Sequence, residues 1–211
     1  IADATIIKTN SSSGTRYRDN YETGIANIPA TANWIQRYDG TGSSVALANS
    51  AGGSSMYYPN LTFESTAGDH DFDALSEVFT GRLERVTVKG DLTIGGNGND
   101  VTVLNNNFNA DPILVMGDLY IAEGSELSNE TYTVPNGNYD VQWREGSGFE
   151  LQGDALIEGI FDVSHVAPNT ASSTGRITPG NEGVVFSGSA LQNVIGDAAE
   201  SFITNDATIN N

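Results

Sequence analysis

The chain has 211 residues, of which 27 are acidic and 9 are basic, so its formal net charge is −18, and it contains no cysteine. This balance argues against double-stranded nucleic acid as a partner, because affinity for its phosphates comes from Lys and Arg. The absence of cysteine excludes disulfides, thiol catalysis and cysteine-ligated metals, and no apolar run approaches the roughly 20 residues of a transmembrane helix.

The composition predicts an all-β protein. Gly, Asn, Ser and Thr make up about two-fifths of the chain, and the apolar residues are mainly Val, Ile, Leu, Phe and Tyr. Residues 1–33 hold one strand candidate at 4–7 and a polar stretch, so we assign them to an N-terminal strand and linker segment. From Trp34 onward, apolar runs alternate with turn residues about every 8–12 positions, which is typical of a sandwich, barrel or solenoid.

Three segments share one pattern, which is a strand, a Gly-Asp pair and a second strand. They span residues 86–94, 113–121 and 149–157, and their Gly-Asp glycines are 27 and 36 residues apart. Repeats at about 20–50 residues indicate solenoids or related arrays. We therefore predict a parallel β-solenoid in which Gly-Asp marks a corner between two faces of a coil, with β-sandwich modules built from ordinary hairpins as the alternative.

A longer similarity relates residues 37–63 to residues 185–210. Each stretch runs from an aromatic residue through a glycine turn to a valine, and then to a short strand that contains threonine. The first glycines of the two stretches are 148 residues apart. This predicts a solenoid repeat at 34–184 and the start of the next repeat at 185–211. Since the sequence ends within a strand pattern, we expect more chain to follow.

The segments YYPNLTF, VTVKGDLTIGG and VVFSGSALQNVIG resemble the repeats of large secreted surface proteins of Bacteroidetes. In that family an F-x-G-x-x-x-Q-x-I strand, an N-L-T-I strand and V-x-G-x-L-T-I coils recur. The resemblance covers residues 34–211 and implies β-solenoid coils, an extracellular or cell-surface location and, for many members, export by the type IX secretion system. Residues 1–33 match no part of the pattern and no C-terminal sorting domain is visible, so that export route is an implication of the resemblance alone.

An acidic cluster is the first candidate for a metal site, because it places three carboxylates at alternate positions. They are Asp69, Asp71 and Asp73. The spacing matches the start of an EF-hand loop, but Ala74 stands where that loop needs Gly and Thr80 where it needs Glu. The pattern therefore predicts a generic calcium loop, completed by Glu64 or Glu77, or else a solvated acidic turn.

Residues 95–103 resemble the calcium-binding nonapeptide of RTX proteins, and Asp100 is its carboxylate ligand candidate. The apolar residue of that repeat belongs at position eight, whereas here position eight is Thr102 and the apolar residues are Val101 and Val103. The alternative is a Gly/Asn turn between two strands. Calcium is the one cofactor that the sequence suggests.

Catalytic patterns are weak, and we predict that the chain is not an enzyme. His70 and His165 have no metal-binding spacing and no accompanying nucleophile motif. A basic cluster could bind an acidic sugar or pair with nearby carboxylates, and it consists of Arg82, Arg85 and Lys89. Aromatic side chains could form a platform for glycans or could instead fill the core. They are Trp34, Tyr38, Tyr57, Tyr58, Tyr132, Tyr139 and Trp143.

Together these patterns predict an extracellular structural or adhesive segment of a large bacterial surface protein. Its expected partners are neighbouring repeats or further copies of itself, surface glycans and the secretion machinery, with no nucleic acid and no transmembrane segment. One alternative is a self-assembling filament subunit, in which residues 1–10 of one copy add a strand to the open end of another. A second alternative is a glycan-binding module or a polysaccharide lyase or hydrolase.

Overall fold

A computed structural model describes eleven stretches of the chain, and within them every regular element is a β-strand. The stretches are residues 4–9, 31–40, 56–72, 86–104, 113–128, 132–134, 142–144, 149–163, 184–196, 202–204 and 207–209. No helix in these stretches is long and apolar enough to cross a membrane.

The strands, numbered in chain order, form three parallel sheets and one hairpin. Sheet A contains, in spatial order, β1 (Thr5–Thr9), β2 (Asn33–Tyr38), β4 (Asn60–Ser65), β7 (Leu92–Ile94), β10 (Leu119–Ile121), β15 (Ala155–Ile157) and β18 (Val194–Gly196). Sheet B contains β3 (Met56–Tyr58), β6 (Val86–Val88), β9 (Ile113–Val115), β14 (Phe149–Leu151), β17 (Val184–Phe186) and β20 (Ala207–Ile209). Sheet C contains β5 (His70–Phe72), β8 (Val101–Leu104), β11 (Glu126–Ser128), β16 (Ile160–Val163) and β19 (Phe202–Thr204). The antiparallel hairpin is β12 (Tyr132–Val134) with β13 (Gln142–Arg144).

From β3 onward the chain visits sheets B, A and C in turn, and each visit stacks in parallel on the previous one. One such circuit is a coil, so β3–β4–β5 is the first coil, β17–β18–β19 is the fifth, and β20 begins a sixth. The predicted parallel β-solenoid is therefore confirmed. The long connections at residues 73–85, 105–112, 129–148 and 164–183 all join sheet C to sheet B, and the hairpin belongs to the third of them.

The interior is filled by side chains in register from coil to coil. In sheet A, Leu61 lies opposite Leu92, Leu92 opposite Leu119, and Leu119 opposite Ala155, and all four are buried. Because neighbouring strands are about 4.8 Å apart, such a row makes continuous apolar contact along the axis. Each large side chain buried in this way stabilises the fold by roughly 1.5–3 kcal/mol.

Pairs of aromatic rings pack in the interior where side chains of two sheets meet. Phe63 of sheet A meets Phe72 of sheet C edge to face, with ring centroids 5.5 Å apart. Phe149 of sheet B meets Phe161 of sheet C in the same geometry at 5.2 Å. Edge-to-face pairs of this kind add about 0.5–1.5 kcal/mol beyond the apolar area that they bury.

The three Gly-Asp pairs lie, as predicted, at the corner between sheets B and A. The reason for glycine is close approach, because none of Gly90, Gly117 and Gly153 has a positive φ. A Cβ on Gly117 would lie 2.6 Å from the carbonyl carbon of Gly90, and a Cβ on Gly153 would lie 2.3 Å from the carbonyl oxygen of Gly117. The corners of successive coils therefore stack backbone on backbone, with no space for a side chain.

The sheets continue through the sequence-based boundary at residue 184. β17 spans that boundary and pairs with β14 on one side and β20 on the other. Gly40 follows a strand of sheet A and Gly188 follows a strand of sheet B, so the glycines matched across 148 residues occupy different corners. The division into 1–33, 34–184 and 185–211 as separate units stays a prediction.

Candidate functional site

A column of Asn and Asp side chains runs along the corner between sheets B and A, and we call it the Asx ladder. Every sheet A strand from β2 to β18 either begins with one of these residues or directly follows one. The rungs are Asn33, Asn60, Asp91, Asp118, Asp154 and Asn193.

Each of the four rungs from Asn60 to Asp154 accepts a hydrogen bond from the backbone of the next rung. The Asp91 N–H donates to Asn60 Oδ1 at 2.9 Å, and the Asp118 N–H donates to Asp91 Oδ1 at 2.9 Å. The same bond continues from Asp154 to Asp118 and from Asn193 to Asp154, both at 2.8 Å. Four consecutive coil-to-coil contacts thus repeat one side-chain interaction.

The backbone returns a second hydrogen bond at each of these contacts. The N–H of the residue after a rung donates to the carbonyl oxygen of the next rung. The four bonds are Leu61 to Asp91, Leu92 to Asp118, Leu119 to Asp154 and Ala155 to Asn193, at 2.8–2.9 Å. A rung is therefore held in both directions, and one hydrogen bond of this kind contributes a net 0.5–1.5 kcal/mol or so.

The ends of the Asx ladder are amides and its centre is acidic. Asn60 Nδ2 donates to Asn33 Oδ1 at 3.1 Å, and Asn193 Nδ2 donates to Asp154 Oδ2 at 3.1 Å. The backbone N–H and side-chain amide of Asn193 lower the pKa of Asp154 below its usual value, against a small opposing effect of desolvation. Three stacked carboxylates repel one another, but they are exposed, so water and salt screen the repulsion.

Gln192 keeps the fourth and fifth coils in contact at the corner between sheets B and A, where this corner is longer than in the other coils. In the fifth coil this corner runs from Ser187 to Asn193, and the Gln192 side chain folds back across it. Its Oε1 accepts from the Gly188 N–H at 2.8 Å, while its Nε2 donates to the carbonyl oxygens of Leu151 and Gly153 at 2.9 and 2.7 Å. Phe186, Gly188 and Gln192 are the F-x-G-x-x-x-Q residues of the sequence pattern, and the pattern thus has a structural cause.

Of the predicted calcium ligands, Asp69 and Asp100 lie at the corner between sheets A and C. The Asp100 N–H donates to Asp69 Oδ1 at 3.1 Å, and the Asp100 carboxylate fills the space that a Cβ on Gly124 would occupy. Asp71 is exposed on β5, opposite Thr102, and Asp73 lies outside the described residues. The described part of the chain has no group of three or more His, Asp or Glu side chains placed to hold a metal ion. Calcium binding stays a prediction.

Residues 95–100, the segment that resembles the RTX nonapeptide, form a glycine-containing turn between β7 and β8. Gly95, Gly96 and Gly98 have φ angles of 80°, 97° and 91°, a region that favours glycine. Val101 and Val103 point into the core from β8. In the RTX nonapeptide the buried apolar residue is at position eight, which in this chain is Thr102, between the two valines.

His70 packs against aromatic rings at the same corner. It stacks on Tyr38 with ring centroids 3.7 Å apart and meets Phe72 edge to face at 4.7 Å. Burial lowers the pKa of His70 from 6.5, and the Asp71 carboxylate partly opposes this shift. The ring therefore packs in surroundings that favour its neutral form.

The other candidates are dispersed or buried. Trp34 and Tyr58 are core residues with an edge-to-face contact at 5.7 Å, so these two do not belong to a glycan platform. Tyr38 packs against the core, Tyr57 is half-buried, and Lys89 lies half-buried at the corner between sheets B and A. Arg82, Arg85 and His165, together with the side chains of Tyr132, Tyr139 and Trp143, lie outside the described residues.

Two side-chain pairs, each with one glutamate, involve outward-facing residues of sheet A. Arg37 and Glu64 form an ion pair at 2.5 Å between β2 and β4. The Tyr120 hydroxyl donates to Glu158 at 2.6 Å, and this hydrogen bond is the main reason why the pKa of Tyr120 is raised above its usual value of 10.0. Both pairs join neighbouring coils, as the Asx ladder does.

Sequence reasoning recognised the Gly-Asp pairs but missed Asn33, Asn60 and Asn193 as rungs of the same column. A signal was present, since each stands directly before a large apolar residue, Trp34, Leu61 or Val194, as the Asp of each Gly-Asp pair stands before Leu92, Leu119 or Ala155. Comparisons of this chain with protein-family models, with curated proteins and with solved structures found no match.

Proposed function

We propose that this chain is a structural or adhesive segment of an extracellular bacterial surface protein, in which the solenoid works as a stiff spacer. The observation that carries the proposal is the Asx ladder, which repeats the same pair of hydrogen bonds at four successive coil-to-coil contacts. The resemblance of residues 34–211 to secreted Bacteroidetes repeats supports the extracellular location and the export route, and surface glycans stay a proposed partner on the basis of the aromatic residues in the sequence.

The physical basis of this role is stacking in one dimension. Each coil contacts only the coil above and the coil below, so stability is a sum of coil and interface contributions. Tension along the axis loads parallel ladders in three sheets together with the Asx ladder at one corner. A coil is released only when all of these bonds at one contact break.

The surface charge suits this role. A formal charge of −18 keeps an elongated chain soluble and separates it from other acidic surfaces. The acidic side chains at the corner between sheets A and C, Asp69, Asp71 and Asp100, together with Asp73, are the residues that we propose for calcium, which would offset part of this charge.

Single-molecule pulling between the two ends of the chain tests the proposal. We expect a defined force peak, lower in Asp118→Ala and nearly unchanged in Asp118→Asn, because an amide oxygen still accepts the Asp154 N–H. Smooth extension without a peak would contradict a load-bearing role.

The enzymatic alternative has its own test. We expect no cleavage of acidic polysaccharides by the chain, with or without calcium. Turnover that persists in repeated preparations, and that is lost on substitution of Arg85 or Lys89, would replace the structural proposal.

A further inference from the structure

The turn between β7 and β8 contains a pair of residues that makes an asparagine side chain chemically reactive. Asn97 is followed by Gly98, and both residues are exposed. The backbone nitrogen of a following residue can attack the side-chain carbonyl carbon of asparagine, and glycine hinders this attack least because it has no Cβ. A Cβ on Gly98 would meet nothing within 4 Å, so the space around this peptide bond is open.

The two arms of this turn are held by packing and hydrogen bonds, whereas its tip is not. On the first arm Gly95 is buried, and on the second arm Asn99 Nδ2 donates to the Ser65 carbonyl oxygen at 2.8 Å. In the part of the chain that the structure describes, neither the Asn97 side chain nor the Gly98 N–H has a hydrogen bond. Both reacting groups are therefore unrestrained.

Asn60 of the Asx ladder is restrained at both reacting groups. Its Oδ1 accepts the Asp91 N–H at 2.9 Å, and its Nδ2 donates to Asn33 Oδ1 at 3.1 Å. The backbone nitrogen that would attack it belongs to Leu61, whose N–H donates to the Asp91 carbonyl oxygen at 2.8 Å. The chain thus contains its own control for the reactivity of an asparagine side chain.

We infer that Asn97 is a site of spontaneous deamidation in the folded chain. The Gly98 nitrogen forms a bond to Asn97 Cγ, the bond from Cγ to Nδ2 breaks, and Nδ2 leaves as ammonia with the proton that the Gly98 nitrogen gives up. Water then adds to one of the two carbonyl carbons of the resulting succinimide and reopens the ring. The product is aspartate or isoaspartate, and water is the only co-reactant. This modification is independent of the proposed structural role.

Either product adds a negative charge at the corner between sheets A and C. The formal charge of −18 becomes more negative in the turn that also contains Asp100, which is hydrogen-bonded to Asp69. Isoaspartate also lengthens the backbone by a methylene group at the tip. Because Asn99 and Asp100 hold the second arm of the turn to the first coil, we expect the coils to stay stacked after the modification.

Peptide mapping of the aged chain tests the inference. The folded chain is incubated at mildly alkaline pH, tandem mass spectrometry locates each converted amide, and protein isoaspartate methyltransferase labels isoaspartate. Every sample carries Asn136→Gln, because Asn136-Gly137 is the other Asn-Gly pair of the sequence and lies outside the described residues. We expect progressive conversion of Asn97 at nearly the same rate in the folded chain as in urea, and no conversion of Asn60 over the same period.

Two variants test the two reacting groups separately. Gly98→Ala places a methyl group beside the attacking nitrogen, and Asn97→Gln, which leaves the glycine in place, requires a larger ring that forms more slowly. Each should lose most of the conversion at this position while circular dichroism keeps the β signal. Conversion of Asn97 in urea but not in the folded chain, no conversion in either state, equal conversion of Asn60, or conversion unchanged in both variants would overturn the inference.

Discussion

At the corner between sheets B and A, three successive coils turn with the same Gly-Asp pair, whereas at the corner between sheets A and C each coil turns differently. The connections at the second corner run through residues 66–69, 95–100, 122–125 and 158–159. Most glycines there have positive φ angles, as at Gly68 and Gly124, although Gly159 does not, and Gly90, Gly117 and Gly153 of the first corner do not either. One corner is uniform because the backbones of successive coils stack at each Gly-Asp pair, whereas the turns of the other corner differ in length and in the side chains that hold them.

Two serine side chains show how the turns of the second corner differ from one another. At the corner between sheets A and C the Ser65 hydroxyl donates to the Gly68 carbonyl within its own turn. Ser125 accepts the Val101 N–H at 3.2 Å from the neighbouring coil. Neither arrangement is repeated in another described coil, whereas the bond between consecutive rungs of the Asx ladder occurs four times. Repetition from coil to coil therefore distinguishes the corner of the Asx ladder from the other corner.

Glycine replacement should separate the two corners most strongly. In Gly117→Ala the new Cβ would lie 2.3 Å from Asp91 Oδ1 and 2.6 Å from the Gly90 carbonyl carbon, so the stack must open. We expect a loss of about 3 kcal/mol in the free energy of unfolding, the upper end for overpacking. Urea denaturation followed by circular dichroism measures it.

The matched control at the other corner is Gly98→Ala. Nothing lies within 4 Å of a Cβ there, and the only cost is the positive φ of 91°, about 1–2 kcal/mol. Equal losses at Gly117 and Gly98 would mean that backbone stacking does not distinguish the corners.

Removal of one carboxylate should have the next largest effect. Asp118→Ala leaves the Asp154 N–H without its acceptor, and because the site is exposed, water replaces part of the bond. We expect the free energy of unfolding to fall by about 1 kcal/mol. Asp118→Asn should retain most of the stability that this hydrogen bond supplies, and it should also reduce the repulsion between stacked carboxylates. If Ala and Asn behave alike in urea titrations, the Asx ladder does not stabilise the coils.

This difference between the corners also explains what the sequence could reveal. The Gly-Asp pairs at 90, 117 and 153 predicted the solenoid because steric contact between coils enforces the same residues each time. The Asn rungs were missed because they do not belong to a Gly-Asp pair. Asn60 follows Pro59 and Asn193 follows Gln192, so neither is preceded by glycine. The role of Gln192 depends on carbonyl groups 39 and 41 residues away, which local sequence does not bring together.

Groups at the two corners should make stability depend on pH in different ranges. Burial lowers the pKa of His70, so the folded state binds fewer protons than the unfolded state, and stability should fall as the pH drops from 6.5 through the folded-state value. His70→Phe, which keeps the stacking on Tyr38, should remove this slope. At the other corner the pKa of Asp154 is lowered, so its contribution should be lost only below about pH 3.8. Free energies of unfolding measured from pH 3 to pH 8 test both windows, and an unchanged slope in His70→Phe would exclude His70 as its source.

Calcium should give the smallest effect, confined to the corner between sheets A and C. Asp69 and Asp100 are already held together by the hydrogen bond at 3.1 Å, and Asp71 is exposed on the adjoining strand. A weakly occupied site stabilises a fold by RT ln(1 + [L]/Kd), which is about 0.4 kcal/mol when calcium equals its dissociation constant. We expect calcium to raise the melting temperature slightly over a chelator control, and we expect Asp71→Asn to abolish the rise. Asp91→Asn is the matched control, because it removes the same charge at the corner of the Asx ladder and should leave the calcium response intact. An equal response in both variants would assign the effect to the overall charge of −18, since only a local site distinguishes one corner from the other.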